Sequence, residues 1–150
     1  MNDQEYQIQE LKDELKKFNN KKILLTGGLG FLGYNFLLLF NFLINNKKYN
    51  INIIVYDVID KKKLPLWFLN LNKKIIYKKE NIINKKNFPN VDYIIHAASI
   101  ASPTYYRKYP IETMDANVIG LRNLLDFYKN KKINSFLFFS TSEIYGDPDK

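Results

Sequence analysis

The residues best suited to chemistry begin with a run of glycines. Thr26-Gly27-Gly28-Leu29-Gly30-Phe31-Leu32-Gly33 stands between an apolar run and a second apolar stretch. Gly28-x-Gly30-x-x-Gly33 has the spacing of a turn that cradles a dinucleotide pyrophosphate. The glycines permit a tight turn, bring backbone N–H groups to the phosphates and let a helix pack close to a strand. A helix starting at Phe31 and Leu32 would add a favourable field for the anion. Asp57 follows at the end of the next apolar run, where a carboxylate can accept hydrogen bonds from the adenosine ribose hydroxyls. It would repel a 2′-phosphate, which favours NAD over NADP; the competing reading is a turn aspartate. Asn81 and Ile82 are placed beside the adenine. No grouping of His, Asp and Glu has metal-ligand spacing, and there is no cysteine, so no metal is expected.

Several elements must position these groups. Residues 22–26 read as a short apolar strand, 31–45 as a helix, 51–56 as a second strand and 74–78 as a third. A short helix is expected near 66–71. Residues 92–96 make a fourth strand, followed by a loop over 97–110. Thr113 is expected to cap a helix running to about Tyr128, and 135–140 a fifth, almost wholly apolar strand. Apolar strands alternating with helices predict an α/β fold: a Rossmann-type doubly wound parallel sheet of order 3-2-1-4-5, truncated after the fifth strand. Ile8, Leu11, Leu15 and Phe18 recur at helical spacing, so residues 1–20 are read as a helical extension preceding a dinucleotide-binding domain over 21–150.

Composition narrows the class. Hydrophobic residues are 46% and charged residues 25% of 150, which marks a globular chain with room for one core. The polar start lacks a signal-peptide core, and the longest apolar run is too short to span a bilayer. A soluble, cytoplasmic chain with no membrane partner is expected. The net charge of +8 raises the possibility of a nucleic-acid partner. However, the lysines are scattered in doublets such as Lys21-Lys22 and Lys131-Lys132. An Asn- and Ile-rich composition fits codon bias in an AT-rich genome, so no nucleic acid is expected.

Three stretches together, TGGLGFLG (26–33), HAAS (96–99) and STSEIYG (140–146), resemble the extended short-chain dehydrogenase/reductase family. Ser99, Ser102, Pro103, Tyr106, Pro110, Thr113, Asn117 and Gly120, with the stretch 140–148, are similar to the UDP-glucuronate decarboxylases. The resemblance implies NAD as cofactor and a UDP-glucuronate-like nucleotide sugar as substrate, carried to a UDP-xylose-like product through a 4-keto intermediate. It places Ala97, Ala98 and Ser99 beside the nicotinamide, with Asn117 bracing the backbone on the cofactor side. Ser102, Pro103, Tyr106 and Arg107 fall on the sugar side. It puts Thr141 near the 4-hydroxyl, with Ser142 and Glu143 near C5. The related 4,6-dehydratases carry Asp-Glu where this chain has Ser142-Glu143. Expelling a hydroxyl needs a general acid and losing CO₂ does not. His96, the only histidine, is assigned a packing role.

The family's acid/base pair, Tyr-x-x-x-Lys on the helix after the STSE strand, has no counterpart at that place in the 150 residues. Tyr128 and Lys132 share the spacing but precede the fifth strand and are read as coincidence. The expectation is therefore the N-terminal part of such an enzyme, inactive alone, with an apolar fifth-strand edge prone to aggregation. A complementing C-terminal chain is a candidate partner, and the homodimer usual for the family is not expected. A 4,6-dehydratase or epimerase, and a non-catalytic dinucleotide-binding fragment, remain alternatives.

Overall fold

A computed structural model describes residues 10–146, without the side chains of Ser142 and Glu143. Residue Ile8 of the expected amphipathic stretch lies outside the described residues. After a short helix α1 (Lys12–Lys16), strand β1 (Lys21–Thr26) leads through the glycine turn into α2 (Phe31–Asn46). Then follow β2 (Ile51–Asp57), a one-turn α3 (Leu66–Leu69) and β3 (Ile75–Lys79). Strand β4 (Tyr93–His96) precedes helices α4 (Pro103–Lys108) and α5 (Pro110–Asp115). A π turn (Ala116–Gly120) joins α5 to α6 (Leu121–Tyr128), and β5 (Ser135–Phe138) ends in a 3₁₀ turn (Ser142–Tyr145).

The five strands form one parallel sheet of order β3-β2-β1-β4-β5. Its middle is covered on both faces, as the unbroken apolar runs require. Ile23, Leu24 and Leu25 of β1 are fully buried, yet the pleat sends them to opposite sides. Ile23 and Leu25 pack with Leu37, Phe40, Leu43 and Ile44 of α2. Leu24 packs with Ile94, Leu124 and Tyr128 on the other face. Leu15 is also buried in the α2 cluster, and Phe18 packs edge-on against Phe40, which docks the N-terminal segment on the domain.

Four expectations about local structure fail. The segment after β4 is not all loop, because Pro103 and Pro110 each stand at the first position of a short helix. Proline is preset for that place, where its missing N–H costs nothing. Thr113 does not cap a helix. It lies inside α5, and its hydroxyl donates back to the Tyr109 carbonyl at 2.7 Å. The expected single helix to Tyr128 is interrupted by the π turn, where Gly120 meets Ile82. A Cβ on Gly120 would sit 2.7 Å from the Ile82 side chain. Strand β5 is also shorter than expected, ending at Phe138.

Candidate functional site

In a parallel sheet all the carboxyl ends open on one side, and doubly wound sheets bind ligands there. The glycine turn follows β1 at that end, Asp57 closes β2, Asn81 follows β3, Ala97 follows β4 and Thr141 follows β5. The fold thus gathers these candidates, scattered over more than a hundred positions of sequence, at one rim.

The glycine turn is built by close backbone approach. Gly27 has φ +69°, and a Cβ there would lie 2.5 Å from the Ala97 carbonyl oxygen. Gly33 sits where a Cβ would fall 2.4 Å from the Gly27 carbonyl, so α2 packs directly on the turn. Gly30 differs: its Cβ would meet only the Gly27 carbonyl, at 3.3 Å. Its bare Cα leaves room above the turn. Gly30 N–H donates to Gly27 O at 3.1 Å and Gly27 N–H to Tyr56 O at 2.8 Å, which tie the turn to itself and to β2. At the start of α2 no side chain caps the helix and no acidic residue occupies the first turn. The N–H groups there lack intrahelical acceptors, an arrangement suited to an anion such as a pyrophosphate.

Asp57 lies half-buried beside this turn. Its Oδ2 accepts the Leu29 N–H at 2.9 Å, and its Oδ1 accepts the Val58 N–H at 2.8 Å. Asn81 is exposed and turns its side chain back on the chain, its Oδ1 accepting the Ile83 N–H at 3.0 Å. Ile82 is buried in the core against Leu124 and Tyr56. Together with Glu80, Asn84, Lys85, Lys86 and Asn87, Asn81 borders an open hollow of about 320 Å³.

Ala97 and Ala98 are half-buried against the glycine turn, and Ser99 is exposed. Ser102, Pro103, Tyr106 and Arg107 lie exposed at the start and along the outside of α4. The Ser102 carbonyl accepts the N–H groups of Tyr105 and Tyr106. Asn117 is half-buried inside the π turn, a helix irregularity that often marks functional positions. Thr141 is exposed just before the 3₁₀ turn that carries Ser142 and Glu143. The side chains of those two lie outside the described residues.

The structure also shows what His96, Asn123 and Tyr128 do. His96 is buried, with Nδ1 2.7 Å from the Thr26 hydroxyl and its ring stacked on Phe138 at 5.7 Å. Burial lowers its pKa to about 4, so it is neutral at pH 7. The pair Thr26–His96 locks the ends of β1 and β4 on which the glycine turn and Ala97 depend. Asn123, buried in α6, donates to the carbonyls of Ile82 and Ile83 and accepts from Lys86 Nζ, which pins the segment after β3. A buried amide in an otherwise apolar helix face is its only sequence signal. Tyr128 lies at the other end of the sheet, before β5. Its hydroxyl donates to the Pro89 carbonyl, and burial raises its pKa further above the usual phenol value. It is a core residue, remote from the glycine turn.

Among the described residues no group of His, Asp and Glu gathers in metal-binding geometry, and no helix is long and apolar enough to cross a membrane. Residues 23–150 match the family described as NAD dependent epimerase/dehydratase. The chain is 35% identical over 131 residues to UDP-glucuronic acid decarboxylase 6 of Arabidopsis thaliana, a match covering 87% of this chain and 36% of that protein. It is 32% identical over 136 residues to the dTDP-D-glucose 4,6-dehydratase of Dictyostelium discoideum, covering 84% of this chain and 30% of the other. In structure it is similar to the UDP-N-acetylglucosamine 4-epimerase of Methanobrevibacter ruminantium M1 in complex with UDP-N-acetylmuramic acid. That comparison has a TM-score of 0.67 and 26% identity, over 87% of this chain and 41% of the other. The chain therefore spans about a third of the length of the curated relatives it matches.

Proposed function

Because the chain belongs to the NAD dependent epimerase/dehydratase family, we propose that it is the NAD-binding part of a nucleotide-sugar-modifying enzyme whose substrate is UDP-glucuronate or a close analogue. The observation that carries the reading is the uncapped first turn of α2 beneath the open Cα of Gly30, with the Asp57 carboxylate beside it. In this reading Gly27, Gly28, Gly30 and Gly33 shape the cradle, and the amides of Phe31 and Leu32 meet the pyrophosphate. Asp57 takes the adenosine ribose, and Asn81 and Ile82 border the adenine. Ala97, Ala98 and Ser99 line the nicotinamide side, with Asn117 bracing it.

When bound, NAD supplies hydride acceptance and return at the sugar C4. The chain's own groups orient the sugar. Thr141 holds a hydrogen bond to the 4-hydroxyl, Ser142 and Glu143 border C5, and Ser102, Pro103, Tyr106 and Arg107 line the sugar from α4. Serine at 142 fits a reaction that expels CO₂, since no proton need be delivered to a leaving hydroxyl. The Dictyostelium relative supports a second reading, a 4,6-dehydratase.

Calorimetric titration of the chain with NAD and NADP tests the cofactor assignment. Saturable NAD binding with NADP weaker by tenfold or more, about 1.4 kcal/mol, is expected. Equal affinity for both would remove Asp57 from the ribose. Incubation of the native protein, together with any chain that completes it, with UDP-glucuronate then separates the reactions. Release of CO₂ supports the decarboxylase, and dehydration of a UDP- or dTDP-glucose substrate the alternative.

A further inference from the structure

Asp57 makes more contacts than a ribose acceptor requires. Both carboxylate oxygens are engaged by backbone amides of two different loops, Oδ2 by Leu29 N–H and Oδ1 by Val58 N–H. Its own carbonyl accepts the Glu80 N–H at 2.9 Å and the Tyr77 hydroxyl at 3.1 Å. One residue therefore joins β2, the glycine turn and the end of β3.

The Leu29 contact matters most, because of what surrounds Leu29. Gly27, Gly28 and Gly30 give the turn little conformational preference of its own, and ordering glycine carries the largest backbone entropy cost of any residue. Two further hydrogen bonds, Gly27 N–H to Tyr56 O and Gly30 N–H to Gly27 O, hold the ends of the turn. The amide at its tip is held by Asp57. A carboxylate suits this double duty. Its oxygens only accept, and each has lone pairs left after meeting one N–H, so ribose hydroxyls can be added without releasing the loop.

We propose that Asp57 is a positioning residue for the glycine turn, holding its tip so that the first-turn amides of α2 are preset for phosphate, independently of any contact with ribose. This deepens the dinucleotide reading above and rests on it for the ligand. The sign of the effect distinguishes it from electrostatics. The Asp57 charge repels an anionic ligand, so removing the charge alone would tighten the binding of a nucleotide lacking ribose hydroxyls. Loss of loop positioning would weaken it.

The test compares the unmodified chain with Asp57→Ala and Asp57→Asn, titrating each with ADP and with 2′,3′-dideoxy-ADP. Positioning predicts that Asp57→Ala weakens dideoxy-ADP about tenfold, the size of one lost charge-assisted hydrogen bond, and that Asp57→Asn, which keeps one acceptor oxygen, weakens it less. Unchanged or tighter dideoxy-ADP binding in both variants overturns the proposal and leaves a ribose-only role. Amide hydrogen exchange without nucleotide gives a second readout: Leu29 should exchange faster by about tenfold in Asp57→Ala. Unaltered Leu29 exchange overturns the loop role even if the nucleotides bind. If the unmodified chain binds neither nucleotide, the dinucleotide reading fails, and the exchange rates still decide whether Asp57 holds the turn.

Discussion

On one side of the sheet, β1, β2 and β3 with α2 bury Ile23, Leu25, Leu37, Phe40, Ile53 and Val55 in a single cluster. At the β5 edge and in the segment after β4, by contrast, β5 is mostly exposed along its length, and α4 and α5 bury no residue at all. Tyr105, Ile111, Met114, Val118 and Phe138 face outward there. The glycine turn and Asp57, proposed for the cofactor, stand on elements whose own packing fixes them. Most groups assigned to the sugar stand on elements that gain little from this chain's core. The proposed dinucleotide site would need rigid backbone amides, and rigidity comes from buried strands and a buried helix.

The largest test of this contrast is core truncation. Phe40→Ala should cost about 3–5 kcal/mol in urea unfolding, whereas Phe138→Ala, on the exposed side, should cost less than about 1.5 kcal/mol. Similar losses at both positions would erase the distinction between the two sides.

The boundary between them is expected to be sensitive to acid through His96. An unfolded histidine takes up a proton below pH about 6.5, but His96 in the fold does so only near pH 4. The unfolded state therefore binds more protons across that interval, and stability falls as pH drops from about 6.5 to 4. The loss is on the order of 3 kcal/mol, since each pH unit of that interval contributes roughly 1.4 kcal/mol. His96→Asn should flatten this part of the stability–pH curve. An unchanged slope would assign the acid sensitivity to other groups.

Within the glycine turn the two kinds of glycine should separate. Gly33→Ala forces a Cβ to 2.4 Å from a carbonyl and should cost about 1–3 kcal/mol of stability. Gly30→Ala meets only one oxygen at 3.3 Å, so thermal stability should change little while NAD titration shows weaker binding. The smallest effect is expected on the outer helices, where Ile111→Ser should stay within about 0.5 kcal/mol. A larger loss in thermal melts would mean that α5 carries packing the exposed face does not reveal.

Much of this is legible in the residues. Ile23-Leu24-Leu25 reads as a strand covered on both faces, and the glycine spacing reads as a tight turn from β1 into α2 with Asp57 at the end of β2, because steric room and charge at a strand end are local properties. The helices at Pro103 and Pro110 escape the sequence because each is brief, with tertiary placement rather than a long apolar period behind it. Thr113 misleads because a threonine before an apolar run can cap or bond backward, and only the backbone decides which. The π turn at Asn117 and the Asn123 clamp depend on Ile82 and Ile83 arriving from some forty residues away.

By itself, the sequence determined the class of sheet, its strand order and the glycine turn between β1 and α2, since patterns of burial and bare backbone are written residue by residue. Only the tertiary structure decided that the Asp57 carboxylate holds the tip of the glycine turn and that His96 is kept neutral against Thr26 and Phe138. It also left α4 and α5 exposed. Those outcomes depend on which distant atoms meet, on the water they exclude and on the surface left without a neighbour.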